Sequence, residues 1–187
     1  MLALSFWKKS SSRRKRFVAI GVSFLLLFVI AVSGVMTPLT PEDAQSLNDQ
    51  LEQTQQDIQS MSLLSGGLKI FTNNFLISLV LFVPLVGPFF GIFVMHNTGM
   101  VIAAQSITAP THPPPMLVLL ILFIFPFTWM EFLAYSVAFS ESIWLLWRII
   151  QRKGKSELVN ALILILVCLL TLLAAAFIEM TLIKSLI

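Results

Sequence analysis

Glu131 sits in the apolar run "FPFTWMEFLAYSVAF", where a carboxylate needs either a partner or a task. Counted along one long element from Met116, it lies about 15 residues, or roughly 22 Å, into the helix. An ionised carboxylate at that depth costs at least about 2.5–3.5 kcal/mol, so it must face protein, pair, or hold a proton. The polar groups available to it are Asn73, Asn74, His96, Asn97 and Tyr135, and no basic side chain is near it in sequence. Two chemistries fit such a cluster. It can hold helices together through hydrogen bonds where hydrophobicity gives no grip, or it can be a proton or ion site beside a helix break. Glu141 is easier to place, because it approaches Trp144 and Trp147, where water can reach it. Arg148, seven residues on along the same face, is expected to assist it through water. Catalytic chemistry has little to work with. There is no G-x-S-x-G, no H-E-x-x-H and no phosphate-cradling loop. No Asp lies within the apolar runs, and His112 stands among prolines. The single cysteine, Cys168, cannot form an internal disulfide, and no metal-ligand spacing surrounds it. The expectation is a chain without catalytic residues, cofactor or metal.

The elements that must position this cluster are long and interrupted. Ile70 to Ala109 is free of charge, and as one straight helix it would extend about 60 Å, twice the hydrocarbon thickness. Pro84, Gly87, Pro88 and Gly91 offer the break. Gly87 and Gly91 form a G-x-x-x-G, and Gly99 adds a third small site for close backbone approach. The segment is therefore either a tight hairpin or a partly re-entrant element. "TAPTHPPP" then reads as an extended connector, and Met116 to Trp147 as a further span interrupted at Pro126.

Composition identifies the solvent. The chain is 57% hydrophobic and 11% charged, less than half the charge usual in soluble domains, and no Lys, Arg, Asp or Glu occurs between Lys69 and Glu131. The lipid bilayer is therefore its first partner. Basic residues gather at Lys8, Lys9, Arg13 to Arg16 and again at Arg148, Arg152, Lys153 and Lys155. The stretch 37–64 carries Glu42, Asp43, Asp49, Glu52 and Asp57 with no basic residue. The positive-inside rule puts both basic clusters in the cytoplasm and 37–69 outside. Beside apolar spans, basic clusters mark topology rather than nucleic-acid binding.

Residues between an outer segment and an inner loop must cross an odd number of times, and 70–147 is too long for one crossing. Five spans follow, at 17–36, 70–87, 90–108, 116–147 and 158–179. The first could instead be a signal peptide, since Ala31-Val32-Ser33-Gly34 is rich in small residues, but its length favours a retained anchor. The organisation is thus a basic cytoplasmic tail 1–16, span 17–36, outer segment 37–69, broken hairpin 70–109, connector 110–115, span 116–147, basic loop 148–157, and a last span with the C-terminal residues at 158–187. Thr40-Pro41-Glu42-Asp43 starts a helix over 41–64, with Thr40 as cap and Gly66-Gly67 as its end. Leu47, Leu51, Ile58 and Met61 form a narrow apolar stripe on it. That stripe packs on the protein's own body or the membrane face, or docks a partner or second copy. The fold class is an all-α integral membrane protein, a bundle of about five spans with Gly/Pro-broken helices and an outer amphipathic helix.

The string "FTNNFLISLVLFVPLVGPFFGIFVMHNTGM", followed by Pro126, Glu131 and Ala134, resembles the stage II sporulation protein M family over roughly residues 70–140. That family shows an Asn-Asn opening a span, a Gly-rich turn, an Asn-Gly, and then Pro-His-Gly-x-x-Glu-x-x-Ala. Here Asn73-Asn74, Gly87/Gly91 and Asn97-Thr98-Gly99 stand in order, while Phe127-Thr128 replace His-Gly. The resemblance implies a multi-pass membrane protein of the cell membrane. Its sporulation member is understood as a scaffold for a cell-wall-degrading complex, so the expected role is non-enzymatic assembly of other membrane or extracytoplasmic proteins. A permease or channel subunit using Glu131, and an accessory subunit of a membrane enzyme, are the alternatives.

Overall fold

The computed structural model describes residues 12–152 and 157–185. Lys8, Lys9, Lys153 and Lys155, which contribute to the charge argument, lie outside the described residues. Among the described residues the chain forms seven helices: α1 Ser12–Val35, α2 Pro41–Ser60, α3 Leu63–Leu81, α4 Val86–Thr108, α5 Pro115–Leu122, α6 Pro126–Ile150 and α7 Leu158–Ser185. Five of them (α1, α3, α4, α6 and α7) are long and apolar enough to cross a membrane.

The bundle buries small residues and serines beside a core of aromatic and aliphatic side chains, and also turns large aliphatics outward. On α1, Ser23, Leu27, Ala31 and Val35 are buried, spaced four apart on one stripe, with Gly34 buried beside them. Val18, Val22, Leu25, Leu26 and Val29 are exposed to lipid. Gly34 of α1 meets Gly99 of α4 so closely that a Cβ on either would clash with the other helix's backbone, at His96 and Gly99 or at Ala31, Gly34 and Val35. Ala31-Val32-Ser33-Gly34, the small-residue run of the sequence, is therefore one side of a helix crossing. The central core joins α1, α3, α4, α6 and α7 through Leu27, Leu81, Met95, Phe132, Tyr135, Phe139, Cys168 and Leu172.

The breaks fall elsewhere than the residue types suggest. α2 stops at Ser60 rather than 64, because Ser62 caps a new helix by accepting a bond from the Ser65 amide at 3.2 Å. Gly66 and Gly67 lie inside α3, where their missing side chains admit Met180 and Phe177 of α7. The 70–109 element is a full hairpin of two helices, of 19 and 23 residues. Its turn comes at Phe82–Leu85, so Pro84 lies in the turn while Gly87, Pro88 and Gly91 belong to α4. Gly87 admits the Leu81 carbonyl across the turn, with Ser142 of α6 beside it, and Gly91 admits the Phe139 ring of α6 and the Leu81 side chain.

The fourth span is α6 alone, beginning at Pro126 rather than Met116. α5 has only 8 residues, about 12 Å of helix, too short to cross. The break after it is stabilised by Trp129, whose indole Nε1 donates to the freed Phe123 carbonyl at 2.6 Å. Phe123 also packs against Phe28, Trp129 and Phe132, with ring centroids 5.1–5.4 Å apart. The connector 109–114 is pinned where Ser106 Oγ donates to the Pro113 carbonyl. α7 continues past Glu179 to Ser185, since no Gly or Pro stops it.

Candidate functional site

α2 does not project from the bundle. Thr40 caps it by accepting from the Asp43 amide at 3.1 Å, and Pro41 occupies its first turn. Ala44 and Asn48 are buried beneath it, and Asn48 donates to Glu52 at 2.7 Å. At its far end Lys184 of α7 donates to the Gln59 carbonyl at 2.6 Å, putting a cation where the helix dipole is negative. Lys69 of α3 pairs with Asp57 at 3.4 Å.

Fixed in this way, α2 roofs a cavity of about 740 Å³ between α3, α4, α6 and α7. Leu47, Leu51 and Ile58 line it from the roof, beside Gln50, Thr54 and Gln55. The expected stripe therefore faces the protein's own interior, with Met61 half-buried just past the helix end. Asn73 and Asn74 of α3, Asn97 and Val101 of α4, Glu131 of α6 and Glu179 of α7 form the walls and floor. Asn74 Nδ2 donates to Glu131 Oε1 at 2.5 Å, and Asn73 Nδ2 donates to Asn74 Oδ1 at 3.3 Å. Tyr135, one turn beyond Glu131, is buried in the core below the cavity.

Four members of the polar cluster read from sequence thus meet at one place, and two do not. Tyr135 lies in the core beneath. His96 turns to the other side of α4, where its Nε2 lies 3.2 Å from Thr37 Oγ1 beside the α1 crossing. Because α6 starts at Pro126, Glu131 is only about 7.5 Å along its helix, not roughly 22 Å into a longer one. Glu179 also lines the cavity, and its place in the sequence does not announce it. It sits near the end of an apolar run, and only the continuation of α7 brings it to the cavity wall.

The opposite end of the bundle holds a second polar assembly. Glu141 is buried, and Arg16 of α1 reaches it at 3.5 Å while also pairing with Glu157. Arg148 pairs with Glu157 at 2.9 Å, and Asn160 donates to the same carboxylate at 3.2 Å. The Trp144 ring lies between the two guanidinium groups, 5.2 Å from Arg16 and 5.5 Å from Arg148. The direct partner of Glu141 is therefore Arg16, from the other end of the sequence. This network locks the start of α7 to α1 and α6.

Between the two assemblies lies the apolar core. Met95, Phe132, Tyr135, Ala138, Phe139, Cys168 and Leu172 fill the space under the Glu131–Asn74 pair. The cavity is therefore a blind vestibule, polar at its floor and closed beneath.

The model of the family described as stage II sporulation protein M matches residues 18–182. No curated protein and no solved structure gives a significant match. The match enters all five membrane helices and covers the vestibule residues and Glu141, Arg148 and Glu157: the chain belongs to the stage II sporulation protein M family.

Proposed function

We propose that this chain is a non-enzymatic assembly protein of the cell membrane, whose α2 and vestibule receive a segment of another membrane or extracytoplasmic protein. The observation that carries the reading is the blind vestibule. It offers hydrogen-bonding groups from five helices around about 740 Å³, a size suited to binding a side chain or peptide end, and it ends on packed apolar residues. The outer face of α2 adds Glu42, Asp49 and Gln53 around a shallow groove, so a partner with a basic or amide-rich surface is the chemical match. Orientation follows from charge. Arg16 and Arg148 cluster at the end away from α2, which supports a cytoplasmic N-terminus and an extracytoplasmic 37–69.

A second reading, a permease or channel subunit, is favoured by one observation: Glu131 and Glu179 both reach the vestibule. It requires a polar route past Tyr135, Ala138 and Phe139, where the core is closed. Glu131→Gln separates the two. The amide still accepts from Asn74, so assembly predicts a folded variant that retains full partner binding by co-purification and supports no less activity in cells. A variant that folds normally in detergent but loses proton or ion flux in proteoliposomes, where the parent chain shows flux, would establish transport instead.

A further inference from the structure

The Arg148 end of the α1–α6 contact opens at the surface as a groove of about 610 Å³. Its walls are one face of each helix. Ala19, Val22 and Ser23 come from α1, and Ser140, Ile143 and Trp147 from α6. Val22, Ile143 and Trp147 are also exposed, so the groove opens sideways onto acyl chains rather than into the bundle. At its lower end the lining becomes Lys15, Arg148 and Gln151. From Lys15 to Ser23 the apolar wall rises about 12 Å. Trp144 closes the back of the groove and is stacked on Arg148.

We infer that this groove is a binding site for one anionic glycerophospholipid of the adjacent leaflet. The acyl chain lies between α1 and α6, and the phosphate meets Lys15, Arg148 and the Gln151 amide. The chemistry selects the occupant. A vertical apolar slot in a bilayer is filled by a lipid chain, and two cations with an amide donor at headgroup level favour a net negative headgroup over a zwitterionic one. Ser23 and Ser140 are small buried residues at the upper end, leaving room that larger side chains would occupy. The site is separate from the vestibule, and neither its lining nor its test depends on the assembly reading. Arg148 also pairs with Glu157, so an occupying phosphate would add charge beside the network that holds α7 to α1 and α6.

The test is quenching of Trp144 and Trp147 fluorescence in phosphatidylcholine nanodiscs doped with brominated lipid. Brominated phosphatidylglycerol should reach half-quenching at a mole fraction about fivefold lower than brominated phosphatidylcholine, the effect of roughly one cation at an anionic surface. Lys15→Gln should remove most of that preference. Ala19→Phe fills the slot without altering charge, and should abolish the excess quenching by either lipid, while Leu170→Phe on the lipid face of α7 changes nothing. Should Ala19→Phe fail to fold, competition decides. Excess unbrominated phosphatidylglycerol should reverse the quenching, and glycerol phosphate without acyl chains should not. Equal quenching by the two lipids in the parent protein would overturn the proposal. So would reversal by glycerol phosphate as effective as by the lipid, since the slot would then contribute nothing.

Discussion

At the scale of the residue, glycine positions are informative because the same substitution has different costs along one helix. Gly34 and Gly99 face each other where a Cβ would meet the opposing backbone, whereas Gly21 has nothing within 4 Å of a built Cβ. Gly34→Ala and Gly99→Ala are each expected to destabilise the bundle by about 1–3 kcal/mol, the usual cost of overpacking. Gly21→Ala should be neutral or slightly stabilising, since Ala is the better helix former. Thermal unfolding in one detergent checks all three, and equal effects at Gly21 and Gly99 would remove the close crossing from the account. The polar residues divide the same way between readable and hidden. Glu131, Asn73, Asn74 and Asn97 were legible because polar atoms in an apolar run must find one another. The turning away of His96 was not, since a helix face depends on where the helix begins. Nor was Arg16–Glu141, because sequence proximity pointed to Arg148 and the true partner comes from α1.

At the scale of the element, composition identified the number of membrane helices, while local caps decided their ends. The prolines and glycines of 84–91 mark a break, but the turn settled at Phe82–Leu85, which puts Leu85 at φ 71° and ψ −50°. A non-glycine residue there carries strain, of order 1–3 kcal/mol. Leu85→Gly is expected to raise stability by about 1 kcal/mol, the strain relieved less the entropy glycine adds to the unfolded chain. Leu85→Ile should lower it, because a β-branched residue tolerates that conformation less. Two shifts of the same sign in a denaturation series would show that Leu85 is not strained. The α5–α6 break was half legible in the same sense. Pro126 announced a helix start, but nothing in the sequence said that Trp129 would satisfy the Phe123 carbonyl and make the break stable. A span counted from Met116 puts Glu131 deep, whereas one that begins at Pro126 puts it within about a turn and a half of the helix start.

At the scale of the molecule, the chain separates a polar vestibule at one end from an ion-paired seam at the other, with packed aromatics and aliphatics between. Four crossings, by α1, α3, α4 and α6, bring the two basic clusters of the sequence together, where Arg16 and Arg148 share Glu157. They leave α2 as the one helix among the described residues with mostly polar, exposed surface. Its apolar stripe is turned inward over the vestibule, so what α2 presents outward is carboxylates and amides rather than a greasy seam. A partner held there is held by charge and hydrogen bonds, and its grip should weaken with salt. The most direct measurement is photo-crosslinking in living cells, with a photoreactive residue placed in turn at Gln53 on the outer groove of α2, at Gln55 in the vestibule, and at Leu170 on the lipid face of α7. The account predicts one discrete protein adduct of the same mass from Gln53 and Gln55, and none from Leu170. Adducts from Leu170 alone, or none from either α2 position in cells where the protein is active, would contradict it.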